Sequence, residues 1–332
     1  MRGASGHEYR INQQIKNLFK PYCDSVEIDP LGSVLAVKKC GIKNAPKIMI
    51  EAHIDEIGLT VTSITDEGFL TFADTGGVDE RILPSLAVTV HGKKDVCGVI
   101  SVPGGENSDK DKSFKIKDMA VDTALDADTV KSLISVGDSI TLPQSVGEIG
   151  NNMLSLKTMD DRAGVAALIS VMKSLDAAKL QCDVYAAAAV QEEVGCRGGK
   201  TTAFSISPDM AIAVDVTHAI TPDNSKNAFE AGSGTVISVG PNLHPCLSKR
   251  LEQTAKKYNI KYSIDADGGC TGTDAWEIQV SGGGIPTALL SIPLKYMHTS
   301  VETLSLSDAQ ATADLMTEFI KGLEGDISWL AL

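Results

Sequence analysis

Residues 184–190 and 210–214 are apolar from end to end rather than alternating, and 286–292 is a predominantly apolar run. A strand of that kind must be covered on both faces, which is the condition of inner strands in a parallel sheet. Amphipathic stretches lie between these runs. Val165, Leu168, Ile169 and Met172 form one stripe at helical spacing, and Leu247, Leu251, Ala255 and Tyr258 another. From about residue 150 the pattern is strand–helix alternation, so the expected fold class is α/β: a mostly parallel mixed sheet flanked by helices. Residues 34–37 and 47–50 read as further strands, the second running straight into His53. Ser5 with Glu8 has the form of a capping box ahead of a helix carrying Ile11, Ile15, Leu18 and Phe19. Ser307 with Gln310 is read as capping a last helix whose stripe is Leu315, Met316, Phe319, Ile320 and Leu323.

Residues 59–150 have a different texture. Short β-rich runs at 59–64, 86–90, 96–102 and 139–142 are separated by Gly, Asp and Pro turns, with one short helical stretch at 127–133. This is the pattern of a small β-domain inserted into a larger one, which would then comprise residues 1–58 and 151–332. Residues 107–117 are polar and charge-dense and read as a surface loop.

A formal net charge of −13 over 332 residues argues against a nucleic-acid partner, which needs a basic stripe. No signal peptide and no apolar run of membrane-spanning length are evident, so a cytoplasmic location without membrane contact is expected. The seven cysteines are scattered and lack any C-x-x-C spacing, which argues against a disulfide framework or a structural zinc knuckle. Cys196 and Cys270 lie near the expected site loops.

Hard and borderline donors gather where the apolar runs end: His53 and Asp55, Glu192 and Glu193, Asp215 and His298, with Asp160 and Asp161 at a helix entry. In open α/β sheets ligands collect outside the carboxyl ends of strands, so these loci are candidates for one site. The set suffices for two divalent cations with one glutamate to spare, which is the equipment of a dinuclear metallohydrolase. Asp55, two residues along an extended segment from His53, can accept its second ring N–H. One of Asp160 and Asp161 is placed to bridge two cations. Neighbours in an extended segment face opposite ways, so one of Glu192 and Glu193 can bind metal while the other acts as base.

Five motifs carry a family resemblance: Ala52-His53-Ile54-Asp55-Glu56-Ile57-Gly58, Asp160-Asp161-Arg162-Ala163-Gly164, Gln191-Glu192-Glu193-Val194-Gly195, Val214-Asp215-Val216-Thr217-His218-Ala219 and His298-Thr299-Ser300-Val301-Glu302. In order and across nearly the whole chain they resemble the tetrahedral, glutamyl-aminopeptidase-like, co-catalytic zinc metallopeptidases. Gly272-Thr273-Asp274-Ala275 matches a further family segment. The resemblance implies an aminopeptidase acting on short peptides. It also implies a PDZ-like inserted domain making dimer contacts, and dimers assembled into a tetrahedral dodecamer. Residue by residue, it implies that Asp160 bridges the cations and is joined to Asp161 by a cis peptide. One metal would take His53 and Asp215, the other Glu193 and His298. Glu192 would be the general base, with Asp55 and Asp161 supporting the ligands. Mixed imidazole and carboxylate donors suit zinc, cobalt or manganese.

Three rivals make different predictions. A glycoside hydrolase needs two carboxylates flanking a sugar, usually with aromatic platforms, and this chain has 5% aromatics and two tryptophans, Trp276 and Trp329. A metal-free scaffold has no use for a spare base. A deacylase with the same metal pair would act on blocked N-termini, where an aminopeptidase is inert.

Overall fold

The computed structural model describes residues 2–101, 114–143, 146–175 and 180–332. The loop read at 107–117 therefore lies largely outside the described residues; its last two residues enter a 3-10 turn, Ile116–Asp118. The described strands form two sheets. The larger runs in the order Ser25–Ile28, Val34–Lys38, Asp183–Ala189, Lys47–His53, Met210–His218, Thr287–Lys295, Thr303–Ser305, Met153–Leu156, Val146–Ile149, and Thr235–Val239 with Tyr262–Ala266 branches from it.

The sheet is mixed, parallel at its centre and between the two branch strands. Asp183–Ala189, Lys47–His53, Met210–His218 and Thr287–Lys295 pair in parallel, and both margins are antiparallel. The expectation of a mostly parallel sheet came from the continuously apolar strands, which are the central ones. The margins carry less apolar sequence and closer turns, which permit antiparallel return.

Alternation is present in the centre but hidden, because both faces are covered. Ile48, Ile50, Ala186, Ala188, Ile212 and Val214 point into one core, under the helices Met159–Ser174, Pro245–Tyr258 and Leu306–Lys321. Met49, Ala187, Ala211 and Ala213 point the other way, into a smaller core under Arg197–Ile206 and Asp274–Gln279. Alanine dominates that second face, which lets the Arg197–Ile206 helix approach closely.

The second sheet is a closed six-stranded barrel: Gly58–Ile64, Leu70–Thr75, Ala120–Asp122, Asp95–Ser101, Ala87–His91 and Ser139–Thr141. It has its own core around Leu59, Leu70, Val90, Val121 and Ile140, and carries the helix Ala127–Leu133. Val146–Ile149, read from sequence with this insert, pairs instead with Met153–Leu156 in the large sheet.

Both capping readings need correction. Ser5 Oγ donates to Asp55 Oδ2 at 2.6 Å, and Glu8 Oε1 accepts from the amides of Gly6 and Gln191, both at 3.0 Å. Neither caps the Asn12–Phe19 helix, which starts without a side-chain cap. The last helix spans Leu306–Lys321 and is entered from Ser305, whose hydroxyl meets that of Ser307 at 2.8 Å, while Gln310 bonds Asp314. At the first place partners distant in sequence take up both side chains, and at the last helix local neighbours do.

Candidate metal centre and active site

Register in the parallel centre brings the distant motifs level. His53 is the last residue of its strand and pairs with Ala189, so the chain beyond residue 189 turns directly past it. Ala213 pairs with Glu51, which puts Asp215, two residues on, level with His53. The Met159–Ser174 helix enters from behind with a break at its start. Asp160 (φ −77°, ψ 108°) and Asp161 (φ −116°, ψ 37°) are non-helical and joined by a cis peptide. Thr158, Gln191, Cys196, Tyr296 and His298 all have positive φ, between 54° and 73°. That left-handed backbone is uncommon for residues with a Cβ, and here it falls on the segments that deliver the polar groups.

The side chains converge. Asp160 Oδ1 lies 3.1 Å from His53 Nε2, and its Oδ2 lies 3.2 Å from His298 Nε2. One carboxylate thus faces two imidazoles. Asp215 Oδ1 lies 4.0 Å from His53 Nε2, and Glu193 Oε2 lies 3.4 Å from His298 Nε2. His53, Asp160 and Glu193 each offer a ligand atom within 4.8 Å of the others, a possible metal-binding cluster. Glu192 and Glu193 line the same cleft of about 460 Å³, with Asp160, Asp215, Cys196, His218, Thr271 and His298 on its walls. Of the residues singled out from sequence, His53, Asp55, Asp160, Glu192, Glu193, Asp215 and His298 fall in or beside this cleft.

Asp55 does more than face His53. Its Oδ1 lies 3.4 Å from His53 Nδ1, long for a hydrogen bond, while Oδ1 and Oδ2 accept from the backbone amides of Glu192 at 3.0 Å and Glu193 at 3.2 Å. It therefore fixes the turn that carries both glutamates. Glu302 does the same for the other half, accepting from His298 N at 3.0 Å and Asp160 N at 3.2 Å. A buried cluster braces the walls: Glu56 pairs with Lys157 and with Arg162, the latter at 3.2 Å, and Arg162 Nε donates to Ile54 O. The carbonyl of Gly77, in the loop leaving the barrel strand Leu70–Thr75, accepts from His298 Nδ1 at 2.8 Å. Ser5, Glu8 and Gly77 were not identified as site residues from sequence, because each lies remote in the chain from a group it holds, and Glu302 was quoted within the last motif without a role.

The electrostatics show what the cluster lacks. Burial raises Glu192, lifts Glu193 to about 8 with help from Asp160, and drives Asp161 and Asp215 well above the ordinary carboxylate range. Burial works against Asp160 as well, yet the two imidazoles hold it well below that range. Burial likewise opposes protonation of His298, and Asp160 and Glu193 override it, to about 9. Several carboxylates are thus pushed toward neutrality around only two imidazoles. The cluster is short of positive charge, and oxygen-rich, imidazole-containing surroundings of that kind fit divalent cations.

One glycine in this region is sterically required. A Cβ on Gly164 would stand 2.3 Å from Asp161 Oδ2 and 2.6 Å from its Oδ1. Gly164→Ala gains helix propensity of about 1 kcal/mol. The displaced, fully buried Asp161 outweighs that gain, and we expect a net loss of about 1–3 kcal/mol in thermal denaturation.

An α/β sheet with imidazoles and carboxylates converging at its strand ends, short of positive charge, defines a metal-dependent hydrolase. Residues 32–315 match the M42 glutamyl aminopeptidase family. A lysyl aminopeptidase of Pyrococcus furiosus is 34% identical over 334 residues, covering 97% of this chain and 94% of the relative. An aminopeptidase structure from the archaeon Desulfurococcus kamchatkensis superposes with a TM-score of 0.92 at 34% identity, covering 100% of this chain and 94% of the other. The TET1 peptidase of Pyrococcus horikoshii, which can assemble into a tetrahedron or a large octahedral shell, gives a TM-score of 0.86 at 31% identity, with 97% of each chain covered. The chain belongs to the M42 glutamyl aminopeptidase family, and its reaction class is that of an aminopeptidase.

Proposed function

We propose that the cleft holds two divalent cations and removes the first residue from short peptides with a free N-terminus. Asp160 would bridge the cations, with His53 and Asp215 on one and Glu193 and His298 on the other. The supporting observation is that the two oxygens of Asp160 face different imidazoles, at 3.1 and 3.2 Å. Zinc or cobalt suits these donors best, and manganese is also compatible. When bound, such a pair supplies Lewis acidity to the scissile carbonyl, eases ionisation of water and gives a free α-amine an anchor.

The chain's own residues do the rest. Glu192 takes the proton of the attacking water and returns it to the departing amine. Asp55 and Asp161 hold the surrounding groups in place, Asp55 through the Glu192 and Glu193 amides. The residues lining the cleft include no Phe, Tyr or Trp to stack a sugar, which favours this reading over a glycosidase. The six-stranded barrel would serve as the dimerisation unit that the family resemblance implies. Like the Pyrococcus horikoshii peptidase, which can assemble into a tetrahedron, this chain would form a tetrahedral dodecamer, and light scattering on the purified protein tests it. Among the described residues no helix is long and apolar enough to cross a membrane, and the cysteines are free.

A panel of aminoacyl-anilides, N-acetylated peptides and a soluble glucan, run with zinc, cobalt or manganese and with a chelator, tests the activity. Cleavage of the free-amine substrates alone, abolished by the chelator and restored by metal, is the expected result. Chelator-resistant glucan hydrolysis overturns it, and turnover of the acetylated peptides reassigns the site to a deacylase.

A further inference from the structure

Glu192 is held differently from its neighbours. Asp55 accepts from two amides and the Ser5 hydroxyl, Asp161 from Gly164 N, Asp215 from Val216 N, and Asp160 faces two imidazoles. The Glu192 carboxylate has one hydrogen-bond donor among the described residues, the thiol of Cys196, with Sγ 3.2 Å from Oε1. The local turn creates this contact. Gly195 N and Cys196 N both donate to Glu192 O at 2.9 Å, and φ values of 118° and 54° at Gly195 and Cys196 fold the chain back over residue 192. Glycine would adopt the conformation at residue 196 with less strain than cysteine. The side chain therefore contributes something the backbone does not need.

We propose that Cys196 is a positioning residue for the general base: its thiol holds the Glu192 carboxylate over the cleft. The inference rests on the reading of Glu192 as base. The chemistry suits the task. Burial, reinforced by Glu192, pushes the thiol far above its ordinary range, so it remains S–H and serves only as a donor. A thiol is a weak donor, which restrains the carboxylate's rotation while leaving its proton affinity largely intact. An aliphatic side chain at this position would exclude water equally well and orient nothing.

The test compares Cys196→Ala, Cys196→Gly and Cys196→Ser in the metal-loaded enzyme, with kcat, KM and metal content measured for each. Removing the donor should lower kcat about three- to tenfold in both Ala and Gly variants, with KM and metal content unchanged. Serine, which restores a donor, should recover at least half of that loss. The Gly variant separates orientation from structure, because it relaxes the backbone at residue 196 and still loses the donor. In a Glu192→Gln background the Cys196 changes should have no further effect. Wild-type kcat in the Ala and Gly variants, or equal losses in Ala, Gly and Ser, overturns the proposal. Wild-type activity in Glu192→Gln alone overturns instead the reading on which it rests, and the two failures are told apart by that variant.

Discussion

Glu192→Gln is expected to lower kcat by about 10²–10⁴-fold while the protein keeps its full complement of metal. Glutamine preserves the shape of the side chain and can still occupy the turn fixed by Asp55, whose bonds are to the backbone amides of residues 192 and 193. What it loses is the capacity to accept a proton from water and deliver it to the leaving amine. KM should change little, since the group acts in the transition state rather than in substrate binding. Steady-state kinetics with elemental analysis on the same preparation measures both quantities. Full activity in this variant would remove Glu192 from the mechanism.

Asp160→Ala should fail in the opposite way. Asp160 is the one carboxylate that both imidazoles face, and its backbone amide is itself held by Glu302. Losing it removes the shared ligand of both proposed cations, so metal content should fall to a small fraction of the native value. Activity should fall with it, on the order of 10²–10⁴-fold or more. Adding excess zinc or cobalt should recover little, because the remaining donors divide into two incomplete pairs. An Asp160→Ala protein that retained stoichiometric metal would refute the bridging assignment. Together the two variants separate loss of the base from loss of the metals, a distinction that activity alone does not make.

The ends of the central strands were legible because a continuous apolar run stops abruptly at a polar residue. His53, Glu192, Glu193 and Asp215 each stand at such an edge or shortly beyond it, and parallel register does the rest. Closure of the barrel was not legible. Its strands are short, and which edge meets which is decided by pairings such as Leu59 with Ile140, far apart in sequence. Ser5 and Glu8 show a local signal overruled by tertiary structure. Their spacing satisfies a capping box, but the fully buried Asp55 and the amide of Gln191 take these side chains instead. Cys196 sat near an expected site loop, but its meeting with Glu192 depends on a left-handed turn that four letters of sequence do not reveal.

The bond from His298 to the Gly77 carbonyl has a consequence for how the molecule can be dissected. A carbonyl oxygen can only accept, so it fixes a ring hydrogen on Nδ1 and leaves Nε2 turned toward Asp160 and Glu193. The tautomer of a histidine in the large domain is thus chosen by a loop leaving the barrel, and a Cβ on Gly77 would stand 2.7 Å from that ring. Excising the barrel would leave this imidazole free to rotate and to carry its hydrogen on either nitrogen. The barrel and the chemistry share a part, and a deletion of the first is expected to disable the second.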